Sequence, residues 1–168
     1  MKLDEETTFD RTSFLSFRLK NELFAVEVKN VIEILDVPKI TSVPKSDPYM
    51  KGVINLRGKV LPVIDTCLKF DLPEISLKKE TCIIVININI NQEVEQCGIL
   101  VDEVLEVFER DKSDIQPSPN LEAKKRNEFV EGVLKIEEEF LILLDLDKAF
   151  SIDEFQNVKS IDESPIVN

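Results

Sequence analysis

The sequence predicts an all-β protein made of two small closed barrels. Three observations lead there. Eight short segments are rich in β-branched and aromatic residues and bounded by turn residues. The long connections between them are polar and marked by proline. One hairpin-like string returns 80 residues after its first appearance, as the shift from Gly52 to Gly132 shows.

In chain order, "FLSFRL" (14–19) and "LFAVEV" (23–28) alternate apolar and polar residues around Lys20-Asn21-Glu22, the pattern of a half-buried hairpin. "GVINL" (52–56) and "KVLPVI" (59–64) form a second hairpin around Arg57-Gly58, with Pro62 expected at an edge or a barrel corner. "TCIIVININI" (81–90) and "QCGILVD" (96–102) make the third pair. "FVEGVLKI" (129–136) and "FLILLDL" (140–146) make the fourth. The connections "DVPKITSVPKSDP" (36–48) and "DKSDIQPSPNLEAKKRN" (111–127) are loops, the second with a short helix near Asn120–Asn127. A further short helix is expected after Asp145, and residues 1–12 and 159–168 read as disordered tails.

"GVINLRGKVLPVID" (52–65) aligns without a gap on "GVLKIEEEFLILLD" (132–145). Gly52 falls on Gly132, Val53 on Val133, Leu61 on Leu141 and Asp65 on Asp145. Upstream, "AVEVKNVIEIL" (25–35) matches "GILVDEVLEVF" (98–108) at an offset of 73, with Val31 on Val104 and Glu33 on Glu106. Two short hairpins can resemble each other by chance, but two matches in one order indicate duplication. The chain therefore reads as one domain, 1–168, with two duplicated halves, 14–75 and 81–150. Neither half is large enough for its own core, so both should pack as one folding unit.

The duplication also isolates what is not repeated. Arg57-Gly58 becomes Glu137-Glu138, while Glu33 and Glu106 agree, so only the first half can pair an acid with a base there. One reading is a surface ion pair without further role. The other is a charged recognition feature specific to the first half, with Arg57 and Glu33 approaching each other and Gly58 supplying positive φ in the turn.

Composition narrows the function. A net charge of −12 without a basic stripe repels phosphate backbones and anionic lipid, which argues against nucleic acid and direct membrane contact. No apolar run approaches a bilayer span, and the N-terminus lacks the apolar core of an export signal, so a cytoplasmic protein is expected. The chain has no histidine, which removes every His-dependent nucleophile arrangement. Thirty-three Asp and Glu make carboxylate pairs inevitable by accident, so a small acidic hydrolase is a weak alternative. There is no DxDxDG-type calcium loop and no Gly-rich phosphate loop, so neither metal nor nucleotide cofactor is expected. Cys67, Cys82 and Cys97 show no metal spacing and read as buried structural thiols.

With "VIEIL", "KGVINLRGKVLPVID", "GILVDEVLEV", "IQPSP" and "FLILLDLDKAF" in this order, residues 14–150 resemble the chemotaxis coupling proteins of the CheW family. The resemblance implies two SH3-like β-barrels around a shared core, with short helices at connections and at the C-terminus. It implies a non-enzymatic adaptor linking the cytoplasmic tips of transmembrane chemoreceptors to the regulatory domain of the histidine kinase CheA, with other copies of the adaptor as a further partner in rings. Carried over by position, Val31, Glu33, Gly52 and Arg57 are implied receptor-binding residues, joined by Val104 and Val107 from the second half. The nearest alternative is a regulatory-domain fragment of such a kinase, or a coupling–receiver hybrid. The start methionine and the lack of a receiver or ATP-binding stretch favour a free-standing adaptor.

Overall fold

A computed structural model describes residues 11–117 and 129–150. Among the described residues, ten strands form two five-stranded sheets. In chain order they are β1 (Arg11–Leu19), β2 (Glu22–Glu27), β3 (Val31–Asp36), β4 (Met50–Leu56) and β5 (Lys59–Asp65), then β6 (Cys82–Ile90), β7 (Glu93–Val101), β8 (Glu103–Asp111), β9 (Val130–Ile136) and β10 (Glu139–Leu144). Two single-turn helices follow the β4–β5 and β9–β10 hairpins: α1 (Thr66–Lys69) and α2 (Leu146–Ala149). Of the helix expected over 146–158, the first turn is present as α2, and residues 151–158 lie outside the described residues. The expected helix near Asn120–Asn127 and both tails lie outside the described residues, apart from Arg11 and Thr12, which belong to β1.

The strand order is β8-β1-β2-β10-β9 in one sheet and β3-β6-β7-β5-β4 in the other. These are the same order once β1 is matched to β6, β2 to β7, β8 to β3, β10 to β5 and β9 to β4. The duplication read from sequence is therefore structural. Register agrees to the residue: Val31 pairs with Ile86 on β6 and Val104 with Phe17 on β1, each beside a bulge. Gly52 opposes Val63 and Gly132 opposes Leu143.

The sheets nevertheless do not divide the chain at 14–75 and 81–150. Each sheet takes the first two strands of one repeat and the last three of the other: β1 and β2 join β8, β9 and β10, while β6 and β7 join β3, β4 and β5. The reason is local. Only a 3₁₀ turn, Val28–Asn30, separates β2 from β3, and Asp102 alone separates β7 from β8. Neither link holds the turn that would fold the strand back on its own sheet, so each strand runs on into the other.

β3 and β8 were not expected as strands. "VIEIL" and "EVLEVF" carry apolar residues on both faces, so alternation does not mark them. Pro62 also lies off its expected place, on an inner strand between β4 and β7. Val53, opposite it, spends both backbone groups on Thr41 (2.9 and 2.8 Å), so this is a pair without mutual hydrogen bonds. Pro62 therefore turns its missing N–H toward β7, whose ladder begins only at Val63.

One apolar cluster runs from Phe17, Phe24 and Val26 through Ile54, Val63, Ile84, Ile99 and Leu100 to Phe150, joining both sheets. A smaller cluster of Phe14, Ala25, Leu134, Leu141 and Leu143 fills the first sheet. The shared interior matches the expectation that neither half stands alone.

Candidate functional site

Val31 and Glu33 lie on β3, at the edge of its sheet, and Arg57 lies at the tip of the β4–β5 hairpin. The turn is type I′, with φ of +53° at Arg57 and +85° at Gly58. Gly58 donates its N–H to Asn55 Oδ1 at 2.8 Å, fixing the tip. Positive φ at Gly58 was expected; positive φ at Arg57 was not, and the arginine occupies the left-handed region without glycine's freedom.

The hairpin carries Arg57 onto Glu33. Arg57 Nη1 donates to Oε1 at 3.4 Å and Nη2 donates to Oε2, a two-pronged contact. The guanidinium holds the Glu33 carboxyl below the usual range, by hydrogen bonding first and by charge second, and Glu33 raises Arg57 in return. Arg57 is exposed and Glu33 half-buried at the surface, so the pair orients a surface more than it stabilises the fold. Beside it lies a cleft of about 450 Å³ lined by Ile32, Leu56, Lys59, Val60 and Val94. Ile32, Val60 and Val94 are exposed apolar side chains.

The other implied residues are placed differently. Gly52 is buried, not presented. A Cβ there would stand 2.2 Å from Thr41 O, and φ is +152°, so glycine is required for the Thr41–Val53 bridge to cross it. Val31 and Val104 are half-buried and pack on the shared core. Val107 is 60% exposed on β8, in the other sheet from Arg57. The end of β3 and the start of β8 flank one buried side chain. Cys82, its thiol raised chiefly by burial, bonds the backbone of Val104 and feels both Asp36 and Glu103.

Three further residues went unnoticed in the sequence: Ile32 and Ile34 on β3, and Leu105 on β8, all exposed. The repeat contained the signal. At offset 73, Ile32 matches Leu105 and Ile34 matches Val107, so both edge strands turn the same two apolar positions outward. A buried polar residue, Ser16, was also missed. Its hydroxyl donates to Glu106 O (3.1 Å) and accepts from Glu106 N–H (3.2 Å) across the β1–β8 bulge.

The cysteines are buried, as expected. Cys67 is pushed up to about 12, by burial first and then by Asp102 and Asp65, so its thiolate is suppressed.

The family profile of the CheW-like domain matches residues 13–165. The chain belongs to the CheW-like family. It is 33% identical over 151 residues to the chemotaxis protein CheW of Klebsiella aerogenes, covering 90% of this chain and 89% of that one. It is 27% identical over 152 residues to the chemotaxis protein CheW of Treponema pallidum, with 90% and 89% covered. The crystal structure of the scaffolding protein TtCheW from Thermoanaerobacter tengcongensis matches with a TM-score of 0.75 at 30% identity, covering 85% of this chain and 90% of that one. The two sheets are the SH3-like barrels of this family, and the chain is a chemotaxis adaptor. Among the described residues no helix is long and apolar enough to cross a membrane.

Proposed function

We propose that this CheW-like adaptor works in the cytoplasm by binding alone, holding a chemoreceptor tip and the regulatory domain of the CheA histidine kinase together. The receptor side uses Glu33 and Arg57 as a polar latch, with Ile32 and Ile34 on β3 and Leu105 and Val107 on β8 as apolar contacts. Val31 and Val104 support those strands from behind, and Gly52 acts indirectly by letting Thr41 cross the hairpin. The observation that carries this reading is the two-pronged Arg57–Glu33 contact beside exposed apolar side chains. The aligned positions of the other repeat carry Glu137 and Glu106, two acids that cannot pair as Arg57 and Glu33 do.

An edge strand with outward apolar residues is an unsatisfied surface, and soluble proteins usually blunt such edges. Leaving two of them in equivalent positions suits a partner laid across both. The test is a binding titration with a receptor cytoplasmic fragment, alongside kinase activity reconstituted from receptor, kinase and adaptor. Wild type should bind and support receptor control of the kinase. Arg57→Ala should lose at least tenfold in receptor affinity while binding of the kinase regulatory domain holds. Unchanged receptor affinity would remove Arg57 from the site.

A further inference from the structure

Among the described strands, the pairings β1·β8, β2·β10, β3·β6 and β5·β7 all join one repeat to the other. Neither repeat completes a barrel by itself. The cleft beside Arg57 shows the same division: Ile32, Arg57 and Val60 come from the first repeat, and Val94 comes from β7 of the second. The repeats are tied covalently only through the segment between Asp65 and Cys82. Within it Ile75 is a buried anchor whose N–H donates to Asp65 Oδ2 at 3.0 Å, and Ser76–Glu80 is exposed.

We propose that two copies of this chain can exchange whole repeats, forming a closed two-fold dimer in which β7 of each copy completes the Arg57 cleft of the other. Every pairing inside the barrels is then the same as in the monomer, and only the path of the 66–81 segment changes. An extended chain spans about 3.3 Å per residue, so freeing Ser76–Glu80 gives roughly 16 Å of reach without disturbing a strand. With equal contacts on both sides, the balance is set by protein concentration against the effective concentration of the tethered repeats, which is of order millimolar for a short link. Exchange requires both barrels to open, so each form persists once folded.

The test refolds the full chain from denaturant at ~10 µM, far below that effective concentration, and at ~1 mM, comparable to it, and reads mass by light scattering. The expected result is monomer at the low concentration and, at the high one, a dimer that survives dilution in native buffer. Deleting the exposed residues Ser76–Lys79 should lower the crossover concentration at least tenfold. Monomer alone from both chains at both concentrations would overturn the proposal, as would a dimer that falls apart on simple dilution, which marks a surface contact. If the deletion chain fails to fold, a specific protease sequence is placed over residues 77–79 of the full chain and cut after folding. Isotope-labelled and unlabelled cut proteins, unfolded together and refolded, should form mixed complexes in statistical ratio. Fragments that separate as folded units would refute the exchange.

Discussion

The β4–β5 and β9–β10 hairpins occupy the same place in the two barrels, and their differences separate fold from function. Both have a glycine crossed by a neighbouring backbone, at Gly52 and Gly132. Both end in an aspartate that caps the following helical turn: Asp65 accepts from Leu68 N–H, and Asp145 from Lys148 N–H. Both aspartates donate their own N–H to a carbonyl before the hairpin, Tyr49 and Phe129. What the barrels share, the barrel needs. At the tips they part: Arg57-Gly58 reaches Glu33, whereas Glu137-Glu138 has no base to offer Glu106. Both tips use positive φ, at Arg57 and Glu137, so the turn does not explain the arginine. The partner does.

The glycines should show the largest effect. Gly52→Ala forces a Cβ to 2.2 Å from the Thr41 carbonyl at a φ that side chains rarely adopt, and backbone cannot retreat cheaply. A loss of about 3–5 kcal/mol is expected, the scale of severe single changes. Gly132→Ala meets Ile115 Cγ2 at 2.4 Å and Gln116 O at 2.8 Å, without positive φ. Part of that clash is a movable side chain, so it should cost less. Equal losses in denaturant melts would mean that the two crossings are held by the same constraint.

The aspartates come next. Asp65 is fully buried and accepts from both Leu68 N–H (3.1 Å) and Ile75 N–H (3.0 Å), while Asp145 is half-buried and accepts at 3.2 Å from Lys148. Asp65→Ala leaves two donors unsatisfied, one of them buried, for about 2–4 kcal/mol. Asp145→Ala should cost about 1 kcal/mol, the usual value of a lost cap. Ser16→Ala belongs between them at about 1–3 kcal/mol, since it strips the hydroxyl from both backbone groups of Glu106. A neutral Ser16→Ala would show that β8 does not depend on that bridge.

Much of this was legible in the sequence, and the gaps have physical causes. Hairpins with polar outer faces were found by alternation, and the duplication by alignment. β3 and β8 escaped because Ile32, Ile34, Leu105 and Val107 put apolar residues on the outer face, which erases the alternation. The feature that hid these strands also marks them as a candidate surface. Arg57 and Glu33 were legible because one copy breaks the repeat. Gly52 was found as a residue but not as a buried crossing, since the approach of Thr41 depends on a loop path that no local pattern encodes. The exchange of strands was equally invisible, because residue periodicity says which face is buried and not which sheet receives it.

At the tips, Arg57→Ala should weaken receptor binding tenfold or more, about 1.4 kcal/mol or greater in binding, while thermal unfolding stays near wild type. Glu137→Ala should change neither. If Glu137→Ala weakens receptor binding as much as Arg57→Ala does, the tips are equivalent and the contrast between barrels fails.

The smallest expected effect comes from another charge reversal between the repeats. At offset 80, Lys51 corresponds to Glu131. Lys51 pairs with Glu74 at 3.3 Å, whereas Glu131 is raised above its ordinary value, first by burial and then by the nearby Glu27 and Asp145, with Lys112 and Lys29 opposing. A carboxyl whose folded pKa lies above its unfolded value binds more protons when folded. Its charge therefore costs stability above the folded pKa, and that cost is relieved as pH falls through the folded pKa toward the ordinary 4.5. Glu131→Gln should then raise the melting temperature at neutral pH, and the advantage should vanish in acid. Solvent still reaches the group, which keeps the gain near ~0.5 kcal/mol, or about 1–2 °C in a chain of this size. Glu131→Lys, which copies the first repeat, should gain at least as much at neutral pH because it also reverses the repulsion. A stabilisation that persists unchanged at pH 4 would assign the effect to packing instead of charge.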